Sequence, residues 1–211
     1  MRSCAAFIFS RSYTIKMKKL IFLAAAVFAI TGCGAFDDAP LVESLPVGST
    51  VENFRLSDTN GVERSLDELK GKNGTILVFV SAQCPVVKQY NERIAKFPGE
   101  FESKGISIVG INSNSTESLS WMKSHAAEKY QFPVLVDKGN VIADKLGANV
   151  TPEIFYLNEK NVLVYHGAID NSTSGDEITQ NYLRDAVEAS VSGQPIAKNR
   201  VKAIGCSIKR A

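Results

Sequence analysis

The sequence lacks the patterns that define several large classes of protein. No apolar run reaches the roughly 20 residues that a bilayer-spanning helix needs, and the chain contains no internal repeat or low-complexity segment. The formal charge of +2 comes with no stripe of clustered cations, which argues against a nucleic-acid partner. The two histidines, His125 and His166, have no spaced partners for a catalytic or metal site. The 211 residues, 45% hydrophobic and 22% charged, suffice for one domain with a full core.

An apolar run near the N-terminus has the form of an export signal. Residues 20–30 are consecutive apolar residues that follow a positive stretch at residues 17–19. Small residues and Cys33 close the run. A positive region, a short apolar region and a small-residue cleavage site together define a secretory signal. We therefore expect residues 1–32 to be a signal peptide, and a start at Met17 would give the more compact signal.

The end of this run, Ile30-Thr31-Gly32-Cys33, resembles a bacterial lipobox. The resemblance implies cleavage before Cys33, lipid attachment to its sulfur and amino group, and a lipidated tether at residues 33–46. An ordinary signal peptide, or a membrane helix that ends in cysteine, is the alternative. By analogy, Gly34 in place of aspartate favours the outer membrane over the inner one. The expected location is therefore the periplasmic face of a bacterial membrane, with the lipid anchor as the membrane contact.

The remaining charge and cysteines suit an exported protein. Without residues 1–32 the chain loses five of its 24 basic residues and none of its 22 acidic ones, so 19 basic and 22 acidic residues remain. Cys4 is removed with the signal and Cys33 is lipidated, which leaves Cys84 and Cys206. Disulfides persist in exported proteins, so two remaining cysteines suggest a pair.

Apolar strands that alternate with helical patterns predict the architecture. A hairpin and a helical turn at residues 51–69 precede a continuous apolar run at 75–80, which is typical of a strand buried on both faces. Strands alternating with helices, then a hairpin and a last helix, indicate a three-layer α/β domain. The further predicted elements are strands at 106–111 and 133–137, a hairpin at 154–165, a helix opened by residues 114–117, a short helix at 141–146, and a helix over 176–191 capped by Asp176.

Cys84 is the main candidate for chemistry. It follows the buried run after three residues, and Pro85, directly after it, stands where the first residue of a helix is expected. A cysteine at a helix N-terminus faces unpaired N–H groups and the positive end of the helix dipole, which favour the nucleophilic thiolate. The alternative is a buried structural thiol, because cysteine is among the most buried residue types.

Several motifs in fixed order resemble the redoxin branch of the thioredoxin superfamily, which includes alkyl hydroperoxide reductase-like and thiol-disulfide oxidoreductase proteins. The resemblance covers roughly residues 46–209 and implies a thioredoxin-like α/β/α domain at 47–193, with a central mixed sheet and an N-terminal β-hairpin extension. A tail at 194–211 would carry Cys206. The motifs are Phe54-x-Leu56, Phe79-Val80-Ser81-x-x-Cys84-Pro85, Val109-Gly110-Ile111-Asn112, Pro133-Val134-Leu135-x-Asp137, Thr151-Pro152-Glu153, Tyr165-x-Gly167-x-Ile169-Asp170 and Gly205-Cys206-x-Ile208.

The resemblance also implies roles for particular residues. Pro152 would be a cis proline beside Cys84, and the backbone of Thr151 would pair with the substrate. Pro85 would complete this substrate-binding set. Four further residues are candidates for lining the site: Ser81, Tyr90, Arg93 and Glu153.

Three departures from the family limit the chemistry. Val87 stands where a thioredoxin has its second cysteine, so a local Cys-x-x-Cys shuttle is impossible. Leu77 stands where typical peroxiredoxins have a proline, although Ser81 keeps the hydroxyl position, so the peroxide-activating pocket is in doubt. Residue 80 is Val80, whereas copper-delivery relatives carry a cysteine there, so we expect no metal and no cofactor.

Cys206 is the best available partner for Cys84. The tail from Gly193 to Cys206 could span up to about 43 Å at roughly 3.3 Å per residue, enough to cross a domain of this size. Three roles stay open. Cys206 is a resolving thiol that swings in after Cys84 reacts, or half of a permanent staple, or an unpaired thiol that engages another protein.

The sequence therefore predicts an exported thiol-disulfide oxidoreductase that acts on protein or small-molecule thiols and disulfides and is reset by an external reductant. A thiol peroxidase, with peroxide as substrate and Cys206 trapping a sulfenic acid, is the closest competitor. A non-enzymatic binding module on the same fold is the third hypothesis, because fold alone does not establish activity.

Overall fold

A five-stranded mixed sheet organises residues 41–211, which are the residues that the computed structural model describes. The predicted signal peptide, the lipidation of Cys33 and the first part of the tether lie outside them. The strands are β1 (Arg55–Ser57), β2 (Glu63–Ser65), β3 (Gly74–Phe79), β4 (Ile106–Asn112), β5 (Val134–Val136), β6 (Val150–Thr151), β7 (Glu153–Asn158), β8 (Leu163–Gly167) and β9 (Cys206–Ser207). The helices are α1 (Leu66–Leu69), α2 (Pro85–Ala95), α3 (Phe97–Phe101), α4 (Leu119–Lys129), α5 (Val141–Leu146) and α6 (Tyr182–Val191), with a 3₁₀ turn at Glu102–Lys104.

The sheet has the order β5-β4-β3-β7-β8. β3 pairs in parallel with β4, and β4 pairs in parallel with β5. β7 runs antiparallel to both β3 and β8. β1 and β2 form the separate N-terminal hairpin, and β6 pairs with β9 outside the main sheet. The predicted three-layer α/β fold, with its mixed sheet and hairpin extension, is confirmed.

Successive side chains of β3 point into two different cores, which explains its continuous apolar sequence. Ile76 and Val78 belong to the core that α2, α3, α4 and α6 cover. Leu77 and Phe79 belong to the opposite core, which α1 and α5 cover. All six residues of β3 are buried. The carboxyl end of β3 is therefore held from both sides, and it leads directly to Cys84.

Two predicted helix starts were wrong. α4 begins after Ser118, whose Oγ accepts the N–H of Trp121 at 3.3 Å, rather than at residues 114–117. The polar side chains before it are used in tertiary contacts instead. α6 begins at Tyr182 rather than at Asp176. Glu177 has a left-handed backbone (φ 51°), and the preceding loop folds back on the side chain of Asn171.

The chain on both sides of residues 47–193 contacts the domain. Before residue 47, the N–H of Leu45 donates to the carbonyl of Leu146 at 2.9 Å, and Ser44 donates to the carbonyl of Gly147 at 3.0 Å. After residue 193, the chain returns to the domain and ends as β9 and the residues that follow it. No helix within residues 41–211 combines the length and apolar content needed to cross a bilayer.

Candidate active site

Cys84 occupies the N-terminus of α2, at the end of the short loop that follows the buried strand β3. It is the N-cap residue, Pro85 opens the helix, and the sulfur accepts the N–H of Val87 at 3.4 Å. Only 3% of its surface is exposed. The sulfur thus faces the free N–H groups and the positive end of the helix dipole, the surroundings in which a thiolate is favoured.

Cys206 is the partner of Cys84. The structure joins the two sulfurs in a disulfide across 122 residues of sequence, with the Cα atoms 5.9 Å apart. That separation lies within the usual range for a disulfide. The two cysteines that remain after the predicted export are therefore paired in the folded domain.

The tail reaches Cys84 by pairing with β6, which contains Thr151. The family resemblance implies that the backbone of Thr151 pairs with the substrate. Thr151 of β6 lies opposite Cys206 of β9, and the Thr151–Pro152 peptide bond is cis, as the resemblance implied. The carbonyl oxygen of Thr151 lies 3.3 Å from the sulfur of Cys84. Gly205 is needed here, because a Cβ atom at that position would lie 2.2 Å from the same carbonyl oxygen. The segment of Thr151 is thus occupied by the chain's own C-terminus.

The tail is held on both sides of Cys206. Upstream, the N–H of Val201 donates to the carbonyl of His166 at 3.0 Å. Downstream, Ile208 is 1% exposed within the second core, and its N–H donates to the carbonyl of Asn149 at 2.9 Å. The N–H of Lys209 donates to Asn114 Oδ1 at 3.1 Å. These contacts do not involve the disulfide itself, so they remain available when it is reduced.

A buried carboxylate fixes the loop that presents Cys84. Glu117 is 8% exposed and accepts the backbone N–H groups of Ala82 at 2.9 Å and Gln83 at 3.0 Å. It also accepts the amide of Asn112 at 2.7 Å and the hydroxyl of Ser81. Charge-assisted hydrogen bonds of this kind are stronger than neutral ones. Glu117 was missed in the sequence because it was interpreted as part of a helix start, and nothing in its spacing links it to the loop 36 residues away.

Ser81, a predicted site-lining residue, lies next to Cys84 but faces the carboxylate. Its hydroxyl donates to Glu117 while its oxygen accepts the N–H of Cys84 at 3.0 Å. The single hydroxyl proton of a serine serves one acceptor at a time. In this arrangement Ser81 positions the backbone of Cys84 and does not donate to its sulfur.

Glu153 contacts the backbone of the residues that precede Thr151. One of its carboxylate oxygens is 2.7 Å from Nε2 of His166, and the other accepts the N–H groups of Asn149 at 2.8 Å and Val150 at 3.2 Å. Both Glu153 and His166 are buried. Their contacts fix the turn that leads into β6, so Glu153 stabilises the backbone that leads to Thr151.

Tyr90 and Arg93 lie on α2, and the Arg93 side chain points toward another loop. Its guanidinium lies over the Tyr90 ring, 3.8 Å from the centroid, and pairs with Asp170 at 2.5 Å. It also donates to the carbonyls of Ser172 at 2.7 Å and Thr173 at 2.6 Å. Burial, followed by the Asp170 carboxylate, raises the pKa of Tyr90 above its ordinary value. This group fastens the loop at 170–173 to α2.

A surface groove of about 890 Å³ reaches the Cys84 loop between α2 and α4. Its lining includes Gln83, Asn91, Trp121 and His125, but neither cysteine. Burial lowers the pKa of His125 below its ordinary value. Within residues 41–211, no group of three or more His, Cys, Asp or Glu side chains is placed to hold a metal ion.

The mixed sheet, the cysteine at the start of α2 and the cis proline beside it define a protein of the thioredoxin superfamily. Residues 47–166 match the model of the AhpC/TSA family. The chain belongs to this family, and so to the redoxin branch of the thioredoxin superfamily.

Individual relatives agree with this placement. The chain is 31% identical over 117 residues to thiol-disulfide oxidoreductase ResA of Halalkalibacterium halodurans, a match that covers 56% of this chain and 65% of that protein. It is 29% identical over 153 residues to ResA of Bacillus subtilis, with 72% and 82% covered. A solved structure of a hypothetical protein from Sinorhizobium meliloti has a TM-score of 0.74 and 33% identity, with 80% of this chain and 97% of that chain covered. The family and these relatives identify the chain as a thiol-based oxidoreductase.

Proposed function

We propose that this oxidoreductase catalyses thiol-disulfide exchange, with Cys84 as the nucleophile and Cys206 as the resolving cysteine. The observation that carries the proposal is the bond between the two sulfurs at the N-terminus of α2, beside the cis peptide bond. A permanent staple would need neither the helix N-terminus nor the cis proline at this place. Relatives named thiol-disulfide oxidoreductase support the same reaction class.

The catalytic cycle has two exchange steps. The Cys84 thiolate, stabilised by the N–H of Val87 and the helix dipole, attacks one sulfur of a substrate disulfide. A mixed disulfide forms, and the other substrate sulfur leaves as a thiolate. The Cys206 thiolate then attacks the Cys84 sulfur, which closes the internal disulfide and releases the second substrate thiol. An external dithiol supplies the two electrons that reopen the bond.

The hydrogen bond that the Ser81 hydroxyl donates to Glu117 favours disulfide exchange over peroxide reduction. A peroxide pocket requires a donor aimed at the peroxide beside the thiolate, whereas Ser81 donates to Glu117 and Leu77 is a buried strand residue. Protein or small-molecule disulfides are therefore the proposed substrates, and peroxide is not.

The proposed site of action is the periplasmic face of a bacterial membrane, where Cys33 carries the lipid. The export signal at residues 1–32, the lipobox-like residues and a compartment in which disulfides persist support this location. By the Gly34 analogy, the outer membrane is the proposed site of the anchor in preference to the inner one. We expect the wild-type protein to incorporate a labelled fatty acid in the cells that produce it and Cys33→Ser to incorporate none. Equal incorporation by Cys33→Ser would rule out the lipid anchor at this residue.

The exchange function is tested by titrating the disulfide in the purified mature protein. We expect the Cys84–Cys206 bond to open and close reversibly across a glutathione redox series, as mapped by thiol alkylation and mass spectrometry. The reduced protein should then reduce a model protein disulfide in the presence of a dithiol donor and should consume no peroxide under the same conditions. A bond that stays closed across the whole series would show a staple instead. Peroxide turnover would establish the peroxidase.

A further inference from the structure

The two cysteines of the disulfide differ in their exposure to solvent. Cys84 is 3% exposed and lies in the first core. Cys206 is partly exposed and packs only against the edge of that core. On either side of Cys206, Ile204 is 67% exposed and Ser207 is exposed. A thiol that approaches from solvent therefore meets Cys206 first.

The two sulfurs also differ as leaving groups. Disulfide exchange is faster when the departing sulfur forms the better stabilised thiolate, and it depends on which sulfur is accessible. Cys84 departs at the N-terminus of α2, where the N–H of Val87 already faces its sulfur. Cys206 lies in the extended strand β9 and has no helix N-terminus of its own. Both criteria favour attack at Cys206 with departure of Cys84.

The charge of the tail adds a third asymmetry. Residues 194–211 contain five basic residues and no acidic one. Arg210 pairs with Asp144, and Lys198 donates to Gln180, whereas Lys202 and Lys209 are exposed on the two sides of Cys206. The basic residues of the tail are Lys198, Arg200, Lys202, Lys209 and Arg210. The surface around Cys206 therefore attracts an anionic partner.

We propose that reducing equivalents enter the protein at Cys206, from a donor whose thiol lies in anionic surroundings; this inference rests on the proposed exchange function. The donor thiolate forms a bond with the sulfur of Cys206, the Cys206–Cys84 bond breaks, and its electron pair goes to Cys84. A second donor thiolate then attacks the donor sulfur of this mixed disulfide. Cys206 leaves as a thiolate and takes a proton from water, and the donor becomes a disulfide. Electrons enter at one cysteine and leave for substrate from the other.

The point of entry is measured on the oxidised full-length mature chain with glutathione as the probe. Limiting glutathione is added, the released thiol is alkylated at once, and both cysteines are mapped by mass spectrometry. We expect glutathione on Cys206 and the alkyl group on Cys84, in excess over the reverse pattern by at least about tenfold. Glutathione on Cys84 would overturn the inference and leave the exchange function intact. If neither cysteine accepts glutathione, both the entry point at Cys206 and the exchange function are wrong.

The donor charge is tested with paired probes and a matched variant. In the double variant Lys202→Glu with Lys209→Glu, we expect the rate with anionic glutathione to fall by roughly 3- to 10-fold at low salt. The rate with cysteamine, whose attacking thiolate form carries no net charge, should change less than about twofold. Lys160→Glu, an exposed change in the turn between β7 and β8, should leave both rates unchanged. Equal loss with both thiols, or no loss with glutathione, would overturn the anionic donor.

Discussion

Replacing Cys84 by serine is expected to abolish disulfide exchange, whereas replacing Cys206 by serine should leave one half-reaction. Serine is a far weaker nucleophile than a thiolate, and its hydroxyl does not form a mixed disulfide, so the turnover of Cys84→Ser should fall by at least about 1,000-fold. Cys206→Ser keeps the nucleophile at the N-terminus of α2 but has no second thiol to release the substrate. It should therefore accumulate a one-to-one mixed disulfide on Cys84.

Both variants can be compared in one assay of model-disulfide reduction with a dithiol donor. Mass spectrometry without reductant shows the trapped adduct, and circular dichroism shows that each variant is folded. Lys160→Glu, an exposed change in the turn between β7 and β8, serves as the control and should retain wild-type turnover. Wild-type turnover of Cys206→Ser would show that Cys206 does not resolve the mixed disulfide. Activity of Cys84→Ser would remove Cys84 as the nucleophile.

Local chemistry explains why one half of the site was predictable. Two local signals predict a helix that starts at Cys84: the apolar run of β3 before it and the proline directly after it. Both act on their immediate neighbours in the sequence. The family resemblance then supplied Thr151 and the cis Pro152. The structure places the Thr151 carbonyl 3.3 Å from the sulfur of Cys84, and the Thr151–Pro152 bond is cis.

The other half of the site depends on contacts between distant segments. The pattern of the tail predicts no core residue, yet Ile208 is buried in the core and Gly205 fits against the Thr151 carbonyl. The apolar residues of the tail are scattered among polar and basic ones and give no period, so the burial of Ile208 is visible only in three dimensions. Glu117 was missed for a related reason, because the same Asn, Ser and Glu residues that cap helices also form tertiary hydrogen bonds. The backbone N–H groups that Glu117 accepts belong to a loop in another part of the sequence.

Reduction of the Cys84–Cys206 bond is expected to lower the free energy of unfolding by about 3–5 kcal/mol. The bond closes a loop of 122 residues, and a cross-link of that span removes much of the entropy of the unfolded chain. The tail contacts in the folded state, by contrast, do not depend on the bond. The measurement is equilibrium denaturant unfolding of the oxidised and reduced chains, followed by the fluorescence of the single tryptophan, Trp121. Cys206→Ala should match the reduced protein to within about 1 kcal/mol, because it removes the same cross-link.

A second substitution shows whether the tail stays docked after reduction. Ile208→Ala deletes a fully buried side chain and should cost about 2–4 kcal/mol. If Ile208 remains in the core of the reduced protein, the cost is the same in both redox states and the two effects add. If reduction releases the tail, Ile208→Ala costs nothing in the reduced protein. We expect additivity, because the anchors on either side of Cys206 are separate from the sulfur. A tail that is docked in the reduced protein keeps Cys206 near Cys84, so resolution of the mixed disulfide would not wait for a distant segment to arrive.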